Sequence, residues 1–337
     1  MPSNLRALPC LFTNLLASAQ KSTMEFKQQL LDCHKRIEPY VHRTPVLTSR
    51  LIDDSAGAEL FFKCENFQRM GAFKMRGATN AVLSLSDQDR AKGVVTHSSG
   101  NMAQAVSLAA QSVGVPAYIV MPENAPQVKK DAVVAYGGQI IEVASTAAAR
   151  EEKADQVALE TGASFIHPSN QIEVILGQGT ACIELLEDHP DLDFVLTPVG
   201  GGGLVAGTAL AVRYFGNECQ TIGGEPMVVD DAYRSLASGK IESNEVAGET
   251  TIADGLRTTL GDVNFPIIRE HVERIIRVSE AEIVAAMRTI WERMKIVIEP
   301  SCAVPFAAVR REPESFAGKK IGIVLSGGNV DLEKLPF

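Results

Sequence analysis

Short apolar runs punctuate this chain, and between them lie longer stretches in which apolar positions recur at helical spacing. Ala58–Cys64, Gly93–His97, Pro116–Met121, Gln139–Val143, Ser164–His167, Phe194–Val199, Cys219–Gly224, Arg274–Val278 and Ile321–Leu325 predict strands. Residues 25–38 predict an amphipathic helix closed near Pro39. Further helices are predicted over Met102–Val113, Ala125–Tyr136, Ala147–Thr161, from the glycines at 200–203 to about Tyr214, and over Glu280–Met294. Near-continuous apolar strands separated by such helices mark parallel sheets covered on both faces. The fold class is therefore α/β, with open doubly wound sheets. Ligands gather beyond the carboxyl ends of strands in such sheets. Three loops sit at positions of that kind: SSGN at 98–101, GGGG at 200–203 and SGGN at 326–329.

Composition narrows the function. The 337 residues suffice for two domains, and 45% hydrophobic with 22% charged residues is a globular mixture. A net charge of −9 argues against a general nucleic-acid or membrane-surface role. The six cysteines, at 10, 33, 64, 182, 219 and 302, form no CxxC pair, which suits a reduced, cytoplasmic protein with small core thiols. Residues 1–23 contain no acid and only Arg6 and Lys21 as bases. They are weakly like a transit peptide, but are read as a disordered extension with Met24 as the effective start.

Two segments carry chemistry. Gly200, Gly201, Gly202 and Gly203 follow a strand and open a helix, which makes an anion cradle of backbone N–H groups and a helix dipole. No Lys-Ser/Thr follows, so this is not a nucleotide P-loop. Gly201, Gly203 and Ala206 with Glu225 downstream also fit a nicotinamide-dinucleotide dehydrogenase, and a plain βα turn would fit as well. The second segment is NFQRMGAFKMRGA, Asn66–Ala78, where Lys74 stands between Phe73 and Met75. Desolvation lowers a lysine's basicity, as imine chemistry with a carbonyl cofactor requires. By spacing alone an ordinary surface lysine is the leading reading.

The run FFKCENFQRMGAFKMRGATNAV resembles the serine racemase and serine/threonine dehydratase family, fold-type II pyridoxal-phosphate enzymes. So do THSSGN at 96–101, GQGT at 177–180, PVGGGGLVAG at 198–207, ETTIADGL at 249–256, WERMKIVIEP at 291–300 and IVLSGGNVDL at 323–332, in the family's order over roughly residues 40–332. The resemblance implies a large cofactor domain, 24–92 plus 169–337, and a small mobile domain, 93–168. It implies that Lys74 carries pyridoxal 5'-phosphate as a Schiff base and shuttles the α-proton. Phe73 packs on the ring and Asn101 bonds its 3-oxygen. Gly200 to Gly203 and Leu204 bind the phosphate, Gly255 lines the cofactor, and Ser326 faces the ring nitrogen. Ser99 is the acid/base on the opposite face, with Ser98, Asn101 and Met102 beside the substrate. Glu225, the Val229 carbonyl and Asp231 match the family's ligands for Mg²⁺ or Ca²⁺. A homodimer and a nucleotide effector are also implied.

Departures fall near the substrate: Ala72 replaces a usual serine, Met102 a usual histidine, and Ser301–Cys302–Ala303 a usual Thr-Ala-Gly. The Met-Gly-Ala-Phe-Lys form looks like dehydratases of threo-3-hydroxyaspartate, and Arg150 lies where a second carboxylate could be met, although pairing with Glu151 or Glu152 at the surface is the plainer expectation. Ser98 and Ser99 could simply cap the next helix. The expected activity is β-elimination from L-serine, L-threonine or 3-hydroxyaspartate to a 2-oxo acid and ammonia, with serine racemisation alongside. The alternatives are a racemase making D-serine or D-aspartate, a dinucleotide dehydrogenase, or a cofactor-binding protein of little turnover.

Overall fold

The computed structural model describes residues 25–244 and 251–337, so the expected extension at 1–23 lies outside the described residues. Ten strands are described: β1 (Val46–Leu47), β2 (Glu59–Cys64), β3 (Val94–His97), β4 (Ala117–Pro122), β5 (Gln139–Val143), β6 (Ser164–Phe165), β7 (Phe194–Pro198), β8 (Gln220–Pro226), β9 (Val272–Val278) and β10 (Lys320–Leu325). They build a six-stranded sheet, order β1-β2-β10-β7-β8-β9, and a four-stranded sheet, order β5-β4-β3-β6. Only β1 is antiparallel among them. The last strand is the centre of the large sheet: Ile323 stands opposite Phe62 of β2 on one side and Leu196 of β7 on the other. The loops that leave β2, β7 and β10 therefore emerge at one edge.

Alternation along these strands fills both faces. Phe62, Leu196 and Ile323 point into one apolar layer with Ile290 and Phe306. Val195 and Val324 point into the other with Ile183 and Val205. A third cluster joins the two sheets, because Met75, Ala78 and Val82 of helix Lys74–Ser84 pack with Met102, Val106 and Ile119. Among the described residues no helix is long and apolar enough to cross a membrane.

The predicted strands and helices all form, with ends moved by a residue or two: the strand predicted over Arg274–Val278 begins at Val272 and that over Ser164–His167 ends at Phe165. Several helices were not anticipated. Helix Ile172–Asp188 is buried all round and holds Gly177 and Gly179 in its interior, so it shows neither amphipathic period nor helical propensity. Its glycines are a packing device. A Cβ on Gly177 would lie 2.5 Å from Gly77 Cα of the Lys74 helix, and one on Gly207 of helix Gly203–Phe215 would lie 2.2 Å from the Ile175 carbonyl oxygen. The GQGT motif thus lets three helix backbones touch. Helix Pro300–Arg311 was hidden by Pro305 in its interior.

Buried charge also anchors the Lys74 helix. Arg76 is fully buried and pairs with both Glu65 (Nε to Oε2, 2.8 Å) and Glu184 (Nη1 to Oε1, 2.7 Å). Lys63 of β2 completes a neutral quartet, donating to Glu184 Oε2 at 2.6 Å and to the Thr44 carbonyl at 2.6 Å.

Candidate active site

Lys74 is placed by backbone pairing between two distant segments. Ala72 and Gly327 form an isolated antiparallel bridge, Phe73 N–H donates to the Ser326 carbonyl at 3.0 Å, and Gly328 N–H to the Gly71 carbonyl at 2.9 Å. Lys74 then opens its helix at the edge where Ser326 leaves β10. The amine donates to the Pro168 carbonyl at 2.7 Å and stands 5.0 Å from the Phe73 ring centroid. It is partly accessible, yet the surrounding protein desolvates it and lowers its pKa to about 8, with Glu299 pulling it part-way back up.

The glycine run lies after β7, with Gly202 at φ +80° as the N-cap of helix Gly203–Phe215. No side chain caps that helix, so its first N–H groups remain for a ligand. A Cβ on Gly201 would lie 2.4 Å from Ser169 Oγ, and one on Gly202 would lie 2.7 Å from Leu260 Cδ2. Asn264 Nδ2 donates to the Gly201 carbonyl at 2.8 Å. Leu204 is buried one residue into the helix. Gly255 N–H donates to Ser301 Oγ at 3.2 Å, and beside it Asp254 meets Lys129 at 2.6 Å, from the helix after β4.

Asn101, first residue of the helix after β3, donates through Nδ2 to Glu299 at 2.9 and 3.2 Å and accepts from Asn329 Nδ2 at 2.9 Å. Asn329 also donates to the Met70 carbonyl at 2.8 Å, where Met70 holds a left-handed φ of 55°. Met102 is buried, whereas Ser98 and Ser99 are partly exposed. The capping expectation for the two serines is not met. Gly100 is the N-cap with no side-chain bond, and Ser98 Oγ instead accepts from the Gly100 N–H at 3.2 Å. Nor does Arg150 pair with Glu151 or Glu152; its Nε donates to the Thr146 carbonyl at 3.3 Å.

Glu299 was missed as a functional residue. It is 4% exposed, and burial, reinforced by Asp254, lifts its pKa to about 7, with the Asn101 bond pulling back. The signal was an acid alone at the end of an apolar run, Ile296–Val297–Ile298, just before Pro300. Since its charge acts on the lysine and its oxygens accept from Asn101, Glu299→Gln is expected to erase an inflection near pH 7 in the kcat profile; an unchanged acidic limb would refute that coupling.

Glu225 is the penultimate residue of β8, and it and Asp231 are each 1% exposed. Its oxygens accept from the Ala232 and Tyr233 N–H groups at 2.9 and 2.8 Å. Asp231 accepts from Asn244 at 2.6 Å and Leu260 N–H at 3.3 Å. Burial and Asp231's charge push Glu225 well up, and burial takes Asp231 to about 6.

A desolvated amine bonded to the Pro168 carbonyl, and an uncapped, Cβ-free helix start that touches the next residue, Ser169, suit a phosphorylated carbonyl cofactor. The fold and site define an α/β enzyme of that class. The chain belongs to the pyridoxal-phosphate dependent enzymes, whose family model matches residues 37–327. It is 49% identical over 310 residues to the beta-hydroxyaspartate dehydratase of Paracoccus denitrificans, covering 92% of this chain and 98% of that protein. It is 48% identical over 306 residues to the L-threo-3-hydroxyaspartate ammonia-lyase of Saccharomyces cerevisiae, covering 90% and 93%. Among solved structures, the serine racemase of Dictyostelium discoideum matches with TM-score 0.86 and 47% identity over 91% of this chain and 99% of that one. The dinucleotide-dehydrogenase alternative is thereby set aside.

Proposed function

We propose that this enzyme eliminates the β-hydroxyl of a small β-hydroxy amino acid, with 3-hydroxyaspartate, L-serine and L-threonine as candidates, giving a 2-oxo acid and ammonia. The observation that carries it is the Lys74 amine, its pKa lowered by desolvation and its hydrogen bond made to the Pro168 carbonyl, next to Ser169, whose hydroxyl lies against Gly201 of the cradle, in a chain similar over nearly its full length to enzymes named for hydroxyaspartate. Pyridoxal phosphate, when bound, supplies the electron sink for the Cα electron pair. The residues do the rest. Lys74 Nζ takes the α-proton, the β-C–O bond breaks with the hydroxyl leaving as water once protonated, and the unsaturated amine released is hydrolysed by water to the oxo acid and ammonia. Phe73 and Asn101 would hold the cofactor ring, and Ser326 would offer a neutral partner to its nitrogen. The helix start at Asn101, with Ser98 and Ser99 before it and Met102 after it, receives the substrate carboxylate.

Ser99 on the opposite face gives a second reading, serine racemisation, favoured by the serine racemase neighbour. The test is a panel of L-serine, L-threonine and L-threo-3-hydroxyaspartate assayed for 2-oxo acid and for D-enantiomer. Dominant oxo acid supports the lyase; dominant D-serine replaces it with the racemase; neither product ends both. Oligomeric mass and added ATP in the same assays test the homodimer and the nucleotide effector, and closure of residues 93–168 over the rest belongs to the same proposal.

We also place Mg²⁺ or Ca²⁺ at Glu225, the Val229 carbonyl and Asp231. The support is two carboxylates buried together, an oxygen-only set that suits hard cations. Among the described residues no three His, Cys, Asp or Glu side chains converge, so water would complete the shell. Chelation is expected to lower Tm by about 5 °C and Mg²⁺ to restore it, with no response in Glu225→Gln. A chelator-insensitive melt would dismiss the site.

A further inference from the structure

We infer that His167 is a positioning residue for the Lys74 amine: its imidazole fixes the turn that presents the Pro168 carbonyl to Lys74 Nζ. The chain leaves the four-stranded sheet after β6 and enters helix Ile172–Asp188, so this turn is where it crosses between the two sheets. His167 Nδ1 accepts from Ser169 N–H at 3.1 Å and from Asn170 N–H at 2.8 Å. A ring nitrogen that accepts two N–H groups carries no proton, so the hydrogen sits on Nε2 and the ring is neutral. His167 N–H donates in turn to Gln171 Oε1 at 2.9 Å. Phe165 and His97 wall the ring edge-on, with centroids 6.1 and 6.3 Å away.

Pro168 sits inside this clamp, with its φ set by its ring and no N–H of its own. Its carbonyl is thus aimed by its neighbours, and it takes the Lys74 hydrogen at 2.7 Å. The groups facing His167 are His97, Lys74 and Asp262, and Lys74 also faces Glu299. Burial, with the His97 and Lys74 charges, brings the imidazole down to about 4, so the clamp stays closed throughout the neutral range. A carbonyl that accepts from an ammonium favours its charged form. Loss of the clamp therefore lets the amine titrate lower and leaves it unaimed whenever it is free of the cofactor.

The same turn touches the cradle, since Ser169 Oγ is the atom that a Gly201 Cβ would meet. A merely structural role would therefore show as weakened cofactor affinity. The inference rests on Lys74 being the reacting amine, and borohydride trapping of the cofactor on Lys74 in the wild type tests that reading separately. The decisive measurement uses the full chain stripped of cofactor: Lys74 acetylation by acetic anhydride across pH, followed by mass spectrometry, with melting as the fold check. His167→Asn keeps an acceptor where Nδ1 lies; His167→Leu removes it. The leucine variant is expected to shift the Lys74 labelling midpoint down by about one pH unit and, once loaded, to lose about tenfold in kcat with KM for the amino acid nearly unchanged. The asparagine variant is expected to restore both. A folded leucine variant with the wild-type labelling curve, or with loss confined to cofactor affinity, overturns the assignment. Should that variant not melt cooperatively, Pro168→Gly keeps the carbonyl but loosens the turn; it is expected to shift the curve likewise, and an unshifted curve overturns the assignment equally.

Discussion

Lys74→Ala is expected to abolish turnover, by about 10³-fold or more, while leaving the protein folded and still able to hold pyridoxal phosphate loosely. The size follows from what one amine does. A positioned proton-transfer group is worth about 10²–10⁴ in rate, and in the proposed function the same nitrogen is also the nucleophile that holds the cofactor. The fold is expected to survive, because Lys74 is partly accessible and the helix behind it is anchored by Met75, Arg76 and the glycine contacts instead. The glycine run proposed to hold the phosphate is remote in sequence from the lysine, so cofactor affinity should fall without vanishing. Borohydride should no longer fix label to the chain. Lys74→Arg should not rescue, since a guanidinium stays protonated and cannot act as the base. A Lys74→Ala enzyme that retains elimination or racemisation would remove this residue from the chemistry and the proposed function with it.

The parts legible in the sequence are those whose physics is local. Strands such as Ile321–Leu325 and Phe194–Val199 are continuous apolar runs ending in glycine loops, and the loops land at one edge because parallel strands share a direction. The glycine run and Lys74 stand out as local patterns, whereas Asn101 and Ser326 were named by the family resemblance, and the roles of all of them belong to the proposed function. What escaped depends on partners far away in the chain. Helix Ile172–Asp188 looked unhelical because its glycines serve a neighbour's backbone. Glu299 acquires its meaning from Asn101, nearly two hundred residues earlier, and His167 from Lys74, distant in sequence, which donates to the carbonyl of the neighbouring Pro168. Lys63, Glu65, Arg76 and Glu184 read as four ordinary charges until the fold buries them together.

That quartet carries the largest expected effect on stability. Glu184→Gln keeps the shape but leaves Lys63 and Arg76 facing a single carboxylate, Glu65, with all of them buried. An uncompensated buried charge costs about 3–5 kcal/mol, which predicts a Tm lower by about 10 °C. The pH dependence has a definite sign. Burial raises the Glu184 carboxyl, but Arg76 and Lys63 outweigh it and hold it below the usual range. A depressed folded pKa contributes stability that is fully present above the unfolded value, about 4.3, and is lost as pH falls through the folded one. The gap between wild type and Glu184→Gln should therefore be constant near neutrality and close as the pH drops below about 4. Lys63→Met with Glu184→Leu removes one charge of each sign and leaves Arg76 bidentate on Glu65. That double variant is expected to be more stable than Glu184→Gln alone, because no buried charge is orphaned. If it is instead less stable than the single variant, the quartet acts through its individual hydrogen bonds and not through its charge balance. Because Arg76 lies two residues beyond Lys74, a loosened quartet should also raise the amine's exposure, read as faster acetylation of Lys74 in Glu184→Gln at a pH where both proteins remain folded.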